Sequence, residues 1–365
     1  MTSEPIRLSL AMIVRNEARC LARCLRSVRD IVQEIVVADT GSTDDTVRIA
    51  REFRAKVATY AWNDDFSAAR NFALEQVAGD WVLVLDADEY ASEALAGEIV
   101  EFIGGRPAIG RLKIVSDFRR NNQTLRSQSF VSRLFPRGIR FEGRIHEQLA
   151  SPLPRVNLHG ELWHDGYLEA KKSERNLRLL ERELEMSPAS AYLLYQLALE
   201  HASLNQTERA FDRLERAYPL LRPEDPFAPN AIVDFVYSAM ELKRFEAGLG
   251  VIGQWGGALE DFPDFHLVCG LFFMNMVRSN SAKHISHLPR IEQAFKRCLA
   301  LGETEKYKSV RGSGTFLAQY NLGTLYHVFG DAAGARKCFE SAAALGYEPA
   351  GEMLKKLPPD VIRDR

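Results

Sequence analysis

The chain is short of cysteine, of net charge and of long apolar runs, and each shortage removes a class of protein. Its five cysteines, Cys20, Cys24, Cys269, Cys298 and Cys338, are scattered through 365 residues. An odd, dispersed set builds no disulfide framework of the kind used in oxidising compartments. Cys20 and Cys24, four apart on an expected helix, read as packing thiols rather than a metal clamp. Lysine and arginine total 47 against 49 acids, a formal net charge of -2. Bulk charge therefore does not make the chain a binder of nucleic acid or anionic membrane, and any electrostatic site must be local. The longest apolar run, Leu267 to Val277, is broken by Asn275 and falls short of the roughly 18 residues that span a bilayer. No transmembrane anchor is expected. The opening Met1-Thr2-Ser3-Glu4-Pro5 has neither the basic start nor the apolar core of a secretory signal, so a cytoplasmic location is expected. What is present is an ordinary globular composition, 46% hydrophobic and 26% charged, over a length that accommodates two cores.

The pattern changes near residue 168. Before it, short apolar runs alternate with amphipathic stretches, the signature of an α/β domain. Strands are expected at Ile6–Val14, Glu34–Asp39, Val57–Ala61, Trp81–Leu85, Arg111–Asp117, Ser129–Phe135 and Leu158–His164. Asn16 is placed to cap the helix carrying Leu21, Leu25 and Val28, and Ser42 with Asp45 reads as a capping box for a helix over Val47–Phe53. A further helix is expected over Ser67–Val77. After residue 168 nearly everything reads as amphipathic helix. Leu322-Gly323-x-x-Tyr326 followed by Gly330, Ala335 and Phe339 fits a helix-turn-helix repeat of about 34 residues. Leu197-Ala198, Ala210, Leu214, Ala217 and Pro223 fit the same frame. Weaker copies lie around Ala247 and Ala294, the latter carrying an insertion of roughly a dozen residues between its helices. Small residues in such a frame let paired helices approach closely. This half resembles a tetratricopeptide-repeat array. The expected organisation is an α/β domain over 1–168, a linker helix over 169–189, the all-α repeat-like domain over 190–357 and a tail over 358–365.

In an open α/β sheet, ligands collect beyond the carboxyl ends of the strands, and Asp39 and Asp86 both stand there. Asp39 precedes a Gly41 turn and also has the form of a loop-initiating residue. The Trp81-Val82-Leu83-Val84-Leu85 run reads as a strand buried on both faces. It ends in Asp86-Ala87-Asp88-Glu89, carboxylates that need a cation or dense donors if they are to be buried. Hard oxygen ligands without nearby cysteine favour magnesium or manganese over zinc. Downstream, Arg119, Arg120, Arg126, Arg133, Arg137, Arg140 and Arg144 crowd 26 residues with Glu142 as the one acid. They read as a solvated strand pair or as an anion-facing rim, and they are left out of the candidate catalytic set.

Together these segments resemble the family 2 glycosyltransferases of GT-A-type fold. The resemblance covers about the first 165 residues and is carried by Ser9 to Glu17, Ile35 to Thr46, Asp65-Phe66-Ser67-Ala68-Ala69-Arg70-Asn71 and Trp81 to Glu89. It is strongest to the branch with C-terminal tetratricopeptide repeats, which includes peptide S-glycosyltransferases of the sublancin type. That branch carries a Gly-x-Ile-His-Glu-Gln segment, here Gly143 to Gln148. Arg15 stands where relatives often have an aromatic residue.

The resemblance implies roles. Asp39 would accept from the base of the nucleotide sugar, most plausibly uracil, with Asn16 and Glu17 on the adjacent strand end. Arg70 would reach the nucleotide or its phosphates, and Asp86 would face the ribose. Asp88, with His164 as second ligand, would hold Mn2+ or Mg2+. Glu147, or His146 beside it, would be the general base. The implied activity is metal-dependent, inverting transfer of a hexose, most plausibly from a UDP-sugar, to a peptide or protein positioned by the repeats. A surface polysaccharide, lipopolysaccharide core or lipid-linked sugar is the alternative acceptor. A non-catalytic repeat scaffold with a retired sugar-nucleotide domain is the alternative of another class. No nucleic-acid partner and no integral membrane segment are expected, and a homo-oligomer is left open.

Overall fold

The computed structural model describes residues 6–120, 123–164 and 170–358, which divide into two compact units between Glu169 and Ala170. The first contains β1 (Leu8–Val14), α1 (Leu21–Val28), β2 (Glu34–Asp39), α2 (Thr46–Glu52), β3 (Lys56–Thr59), α3 (Phe66–Glu75), β4 (Trp81–Val84), β5 (Glu89–Ala91), α4 (Glu93–Ile103), β6 (Ile109–Arg120), β7 (Gln123–Pro136), β8 (Arg140–Glu142), β9 (Gln148–Ala150) and β10 (Arg155–His164). Helices between β1, β2, β3 and β4 serve as crossovers, so these four strands pair in parallel. The sheet order is β3-β2-β1-β4-β7-β6-β10-β5. β7 runs antiparallel to β4 and β6, β10 runs parallel to β6, and β5 closes the edge antiparallel to β10.

Both faces of the sheet are covered. On one, Leu21, Cys24, Leu25 and Val28 of α1 and Leu95, Ile99 and Ile103 of α4 pack on Leu8, Leu10, Met12 and Leu83. On the other, Ala73 and Leu74 of α3, with Phe141 and Leu149 of the β8–β9 hairpin, pack on Ala11, Val36, Val82, Val84 and Phe135. Double coverage is why Trp81 to Val84 is apolar without interruption. The expected strands are all present. The short β5, β8 and β9 are additional, since three residues are too few to show a period.

Two capping expectations need correction. Asn16 does not cap α1, whose N-cap is Cys20. Asn16 instead adopts φ 56, and its Oδ1 accepts from the Thr43 N–H at 2.7 Å while its own N–H donates to Ser42 Oγ at 3.0 Å. The Ser42/Asp45 box does not form, because Ser42 Oγ is engaged by Asn16 and Asp45 pairs with Arg48. The cap side chains brace the loop after β1 against the loop after β2.

The second unit comprises α5 (Ala170–Met186), α6 (Ala191–Ser203), α7 (Thr207–Ala217), α8 (Ala228–Glu241), α9 (Phe245–Trp255), α10 (Pro263–Ser279), α11 (Ser281–His284), α12 (Leu288–Leu301), α13 (Phe316–Val328), α14 (Ala332–Ala344) and α15 (Glu348–Lys356). Helices pack as hairpins α6/α7, α8/α9, α10/α12 and α13/α14. The small residues of the repeat have a measurable purpose. A Cβ on Gly323 would lie 2.8 Å from the Phe339 ring, and one on Gly270 would lie 2.4 Å from Phe295. Ala198 and Leu214, both buried, take the matching places in α6/α7. The insertion in the third hairpin is divided between a longer α10 and the short α11. No helix among the described residues is long and apolar enough to cross a membrane. The expected tail lies, except for Pro358, outside the described residues.

Candidate active site

The parallel strands β1, β2, β3 and β4 bring their carboxyl ends to one edge, with Val14 opposite Asp39 and Asp39 opposite Thr59. Sheet order reverses between β1 and β4, which makes this edge the crevice of an open α/β sheet. Asp39, at the end of β2, is buried, and its carboxylate accepts from the N–H groups of Ser42 at 3.1 Å and Gly41 at 3.4 Å. Gly41 has φ +103, which a side chain would strain. Glu17 donates its backbone N–H to Thr46 Oγ1 at 2.7 Å, and its carboxylate accepts from the Cys20 thiol.

Asp86, just past β4, is the hub. Its Oδ1 accepts from Arg70 Nη2 at 2.9 Å and its Oδ2 from Arg133 Nη2 at 2.8 Å. Arg133 Nη2 also reaches Glu89 Oε1 at 2.6 Å, and Glu89 Oε2 accepts from the Asp86 N–H at 2.9 Å. Arg70 Nε donates to Glu147 Oε1. Beside this cluster His164 Nε2 stands 3.5 Å from Asp88 Oδ1, while Ser116 Oγ lies 3.2 Å from His164 Nδ1.

Local structure explains the convergence. Asp65 caps α3 by accepting from the Ala68 N–H at 2.9 Å, and the helix then turns Arg70, Ala69 and Ala73 inward. Asn71 grips the neighbouring hairpin like a missing strand: its Nδ2 donates to the Phe141 carbonyl and its Oδ1 accepts from the Phe141 N–H, each at 2.9 Å. The 143–147 connection between β8 and β9 turns through Gly143 at φ +94 and His146 at φ +56, and its Arg144 carbonyl accepts from the Phe66 N–H. These bonds set Glu147 against Arg70. On β7, Arg133 falls at a register shift, between Leu134 opposite Gly110 and Ser132 opposite Arg111, and its side chain is buried.

The electrostatics follow from burial and pairing. Burial alone would raise the Asp86 carboxyl, but the Arg133 and Arg70 guanidiniums hold it well below its ordinary value. Burial pushes Glu89 up, only partly offset by Arg133. For His164 burial pulls down, yet Asp88, with Glu89 and Asp86 behind it, raises the imidazole. Burial and the charges of Glu89 and Asp86 push the Cys24 thiol far up, so Cys24 is an inert packing thiol, as expected. Arg70 Nη1 and Arg133 Nε are buried with no hydrogen-bond partner among the described residues. A buried orphan donor on a cation is costly and suits an anionic ligand.

Residues 9–154 match the model of Glycosyl transferase family 2. Over these residues the chain carries a glycosyltransferase family 2 domain. A TPR repeat-containing protein of Synechococcus elongatus is 33% identical over 278 residues, covering 70% of this chain and 66% of the relative. The SPbeta prophage-derived glycosyltransferase SunS of Bacillus subtilis is 31% identical over 225 residues, covering 58% of this chain and 53% of SunS. The match thus spans from about half to two thirds of these relatives' lengths. A crystal structure of S. aureus TarS 1–349 overlaps at TM-score 0.36 with 16% identity, over 64% of this chain and 81% of that chain.

Within this family 2 domain the candidate residues fall into three sets. Arg70, Asp86 and Glu147 are directly bonded, and Asp88 with His164 lies beside them. Asn16, Glu17 and Asp39 form the braced loops of the neighbouring strand ends. His146 lies in the same turn as Glu147. Among the described residues no group of three or more His, Cys, Asp or Glu side chains is arranged around a metal position. Arg133, set aside in the sequence with the rest of its arginine cluster, is bonded to Asp86 and Glu89. Its arginine neighbours follow the solvated reading: Arg126 pairs with Asp117, Arg140 with Glu75 and Arg144 with Asp65, all with substantial exposure. The side chains of Arg119 and Arg120 lie outside the described residues. One signal was available, since Val131-Ser132-Arg133-Leu134-Phe135 sets an arginine inside an otherwise strand-like run.

Proposed function

We propose that the chain is a metal-dependent, inverting glycosyltransferase that moves a hexose from a uridine diphosphate sugar to a peptide or protein acceptor. The observation that carries this reading is the meeting of Arg70, Asp86, Asp88 and Glu147 at the crevice of a family 2 domain. SunS similarity and the helical-repeat unit support a peptide acceptor, because stacked helical hairpins present an extended surface. A scaffold without catalysis has no physical need to bury these carboxylates at one sheet edge.

The donor set fits a divalent cation. Asp86, Asp88, Glu89 and Glu147 outweigh Arg70 and Arg133 by two negative charges when His164 is neutral. An Asp oxygen and an imidazole nitrogen face each other, and Ser116 fixes the far side of the ring. Asp88 and His164 would hold Mg2+ or Mn2+, which when bound neutralises charge developing on the leaving diphosphate. Asp39, at the end of β2, accepts from the nucleobase, with Asn16 and Glu17 shaping that side. Asp86 faces the ribose while its two guanidinium bonds keep it ionised. Arg70, through its Nη1, which has no hydrogen-bond partner among the described residues, reaches a phosphate oxygen. Glu147 takes the proton from the acceptor nucleophile as that atom attacks the anomeric carbon, the C–O bond to diphosphate breaks, and the configuration inverts. His146 is the alternate base in the same turn.

The test is nucleotide release from a panel of uridine and guanosine diphosphate sugars with manganese, magnesium or chelator, using native protein and Asp88→Ala. Chelator-sensitive release from one uridine donor, lost in the variant, is expected. Absence of both release and nucleotide binding across the panel would overturn the reading.

A further inference from the structure

We propose that Arg133 is a positioning residue of the cation site: it locks the Asp86–Glu89 turn in the form that presents Asp88 beside His164. The inference rests on the cation role of Asp88 proposed above and deepens it.

Residues 86–89 crowd three carboxylates into four positions just past a buried strand. Left to themselves, like charges at this spacing repel, and the turn would open to hydrate them. Arg133 prevents this from a neighbouring strand rather than from a loop. It precedes Leu134, which pairs with Leu83 of β4, so its guanidinium emerges where β4 gives way to the turn. One nitrogen, Nη2, bridges the first and last carboxylates of the turn, at 2.8 Å to Asp86 and 2.6 Å to Glu89. The other Glu89 oxygen returns to the Asp86 N–H at 2.9 Å, closing a ring around the turn. Glu89 is 2% exposed and the Arg133 side chain 11%, so the bridge is desolvated and geometrically strict. Register between β10 and β5 sets His164 opposite Glu89. The same bridge that fixes Glu89 therefore fixes the turn that carries Asp88 against His164. Arg133 makes no bond to the cation in this scheme. It acts through Asp86 and Glu89, as outer partners of metal sites do.

The test measures Mn2+ binding by electron paramagnetic resonance, with and without uridine diphosphate, on full-length native protein, Arg133→Met, Arg133→Lys and the double variant Glu89→Gln/Arg133→Met, alongside thermal unfolding. Arg133→Met should weaken Mn2+ binding about 10- to 100-fold and also lower the unfolding midpoint, because Glu89 is left buried and uncompensated. Arg133→Lys, which keeps one bridging nitrogen, should fall between native and Arg133→Met in affinity. The double variant removes both buried charges, so its midpoint should recover while Mn2+ affinity stays low. That separation is the outcome a merely structural role would not produce. Native-like Mn2+ affinity in Arg133→Met or in the double variant overturns the proposal, as does affinity that recovers in step with the midpoint. If neither methionine variant folds, Arg133→Lys decides, native affinity overturning the proposal and weakened affinity supporting it. Native protein that binds no Mn2+ in either condition overturns it together with the metal reading, whereas native binding unaffected by Arg133 substitutions overturns it alone.

Discussion

Glu147, proposed as the base, has its carboxylate bonded to Arg70. The two roles separate under substitution. Glu147→Gln keeps an oxygen for Arg70 Nε but loses the basic charge, so transfer should slow about 10²- to 10⁴-fold with nucleotide affinity nearly unchanged, as read by steady-state kinetics and titration calorimetry. Collapse of binding with normal residual chemistry would mark Glu147 as a strut for Arg70. Asp88→Ala should abolish cation-dependent turnover while leaving the circular dichroism spectrum and unfolding midpoint close to native. Persistent turnover would sink the metal assignment. At this scale the positions of Asp39 at the end of β2 and Asp86 just past β4 were legible in the sequence. Arg133 was lost among its neighbours because exposure, which separates it from Arg126 and Arg140, is a property of packing and not of spacing.

The β8–β9 hairpin is the element on which Glu147 depends. It has only three residues in each strand, too few for independent stability, and it is held by Asn71 and by Phe141 packing on Phe135. Asn71→Ala leaves the Phe141 N–H and C=O without partners, a local cost of about 1–3 kcal/mol. Faster amide exchange over residues 140–150 and reduced kcat with unchanged nucleotide affinity are expected. Unchanged exchange would show that apolar packing alone holds the hairpin. In the repeat unit Phe339→Ala should cost about 3–5 kcal/mol, measured by chemical denaturation, since that ring fills the space left open by Gly323. A loss below about 1 kcal/mol would mean the α13/α14 pair relaxes to close the gap. The longer strands and helices α1 to α3 were legible from period, whereas α4, between β5 and β6, was not expected from the sequence. The hairpin was not, because a segment that short is stabilised by partners distant in sequence.

At the scale of the whole chain, the α/β unit and the helical unit have separate cores, and the proposed function assigns donor chemistry to the first and acceptor capture to the second. Ending the chain after residue 189 should impair glycosylation of a peptide acceptor more than hydrolysis of the donor, compared in parallel assays. Equal loss of both would mean the repeats are required for the first unit to fold.

By itself, the sequence determined the change of architecture near residue 168, the alternation that builds a parallel sheet, and the carboxylates at the ends of β2 and β4. These depend on periodicity and on strand termini, which are local properties of a chain. Tertiary structure alone decided that Asp86 is gripped by guanidiniums from α3 and β7, that Glu147 meets Arg70 across 77 positions, and that the cap residues at Asn16 and Ser42 brace two loops. A buried charge takes its partner from whatever the sheet order places beside it, and that order follows from β7 inserting next to β4, which no local pattern encodes.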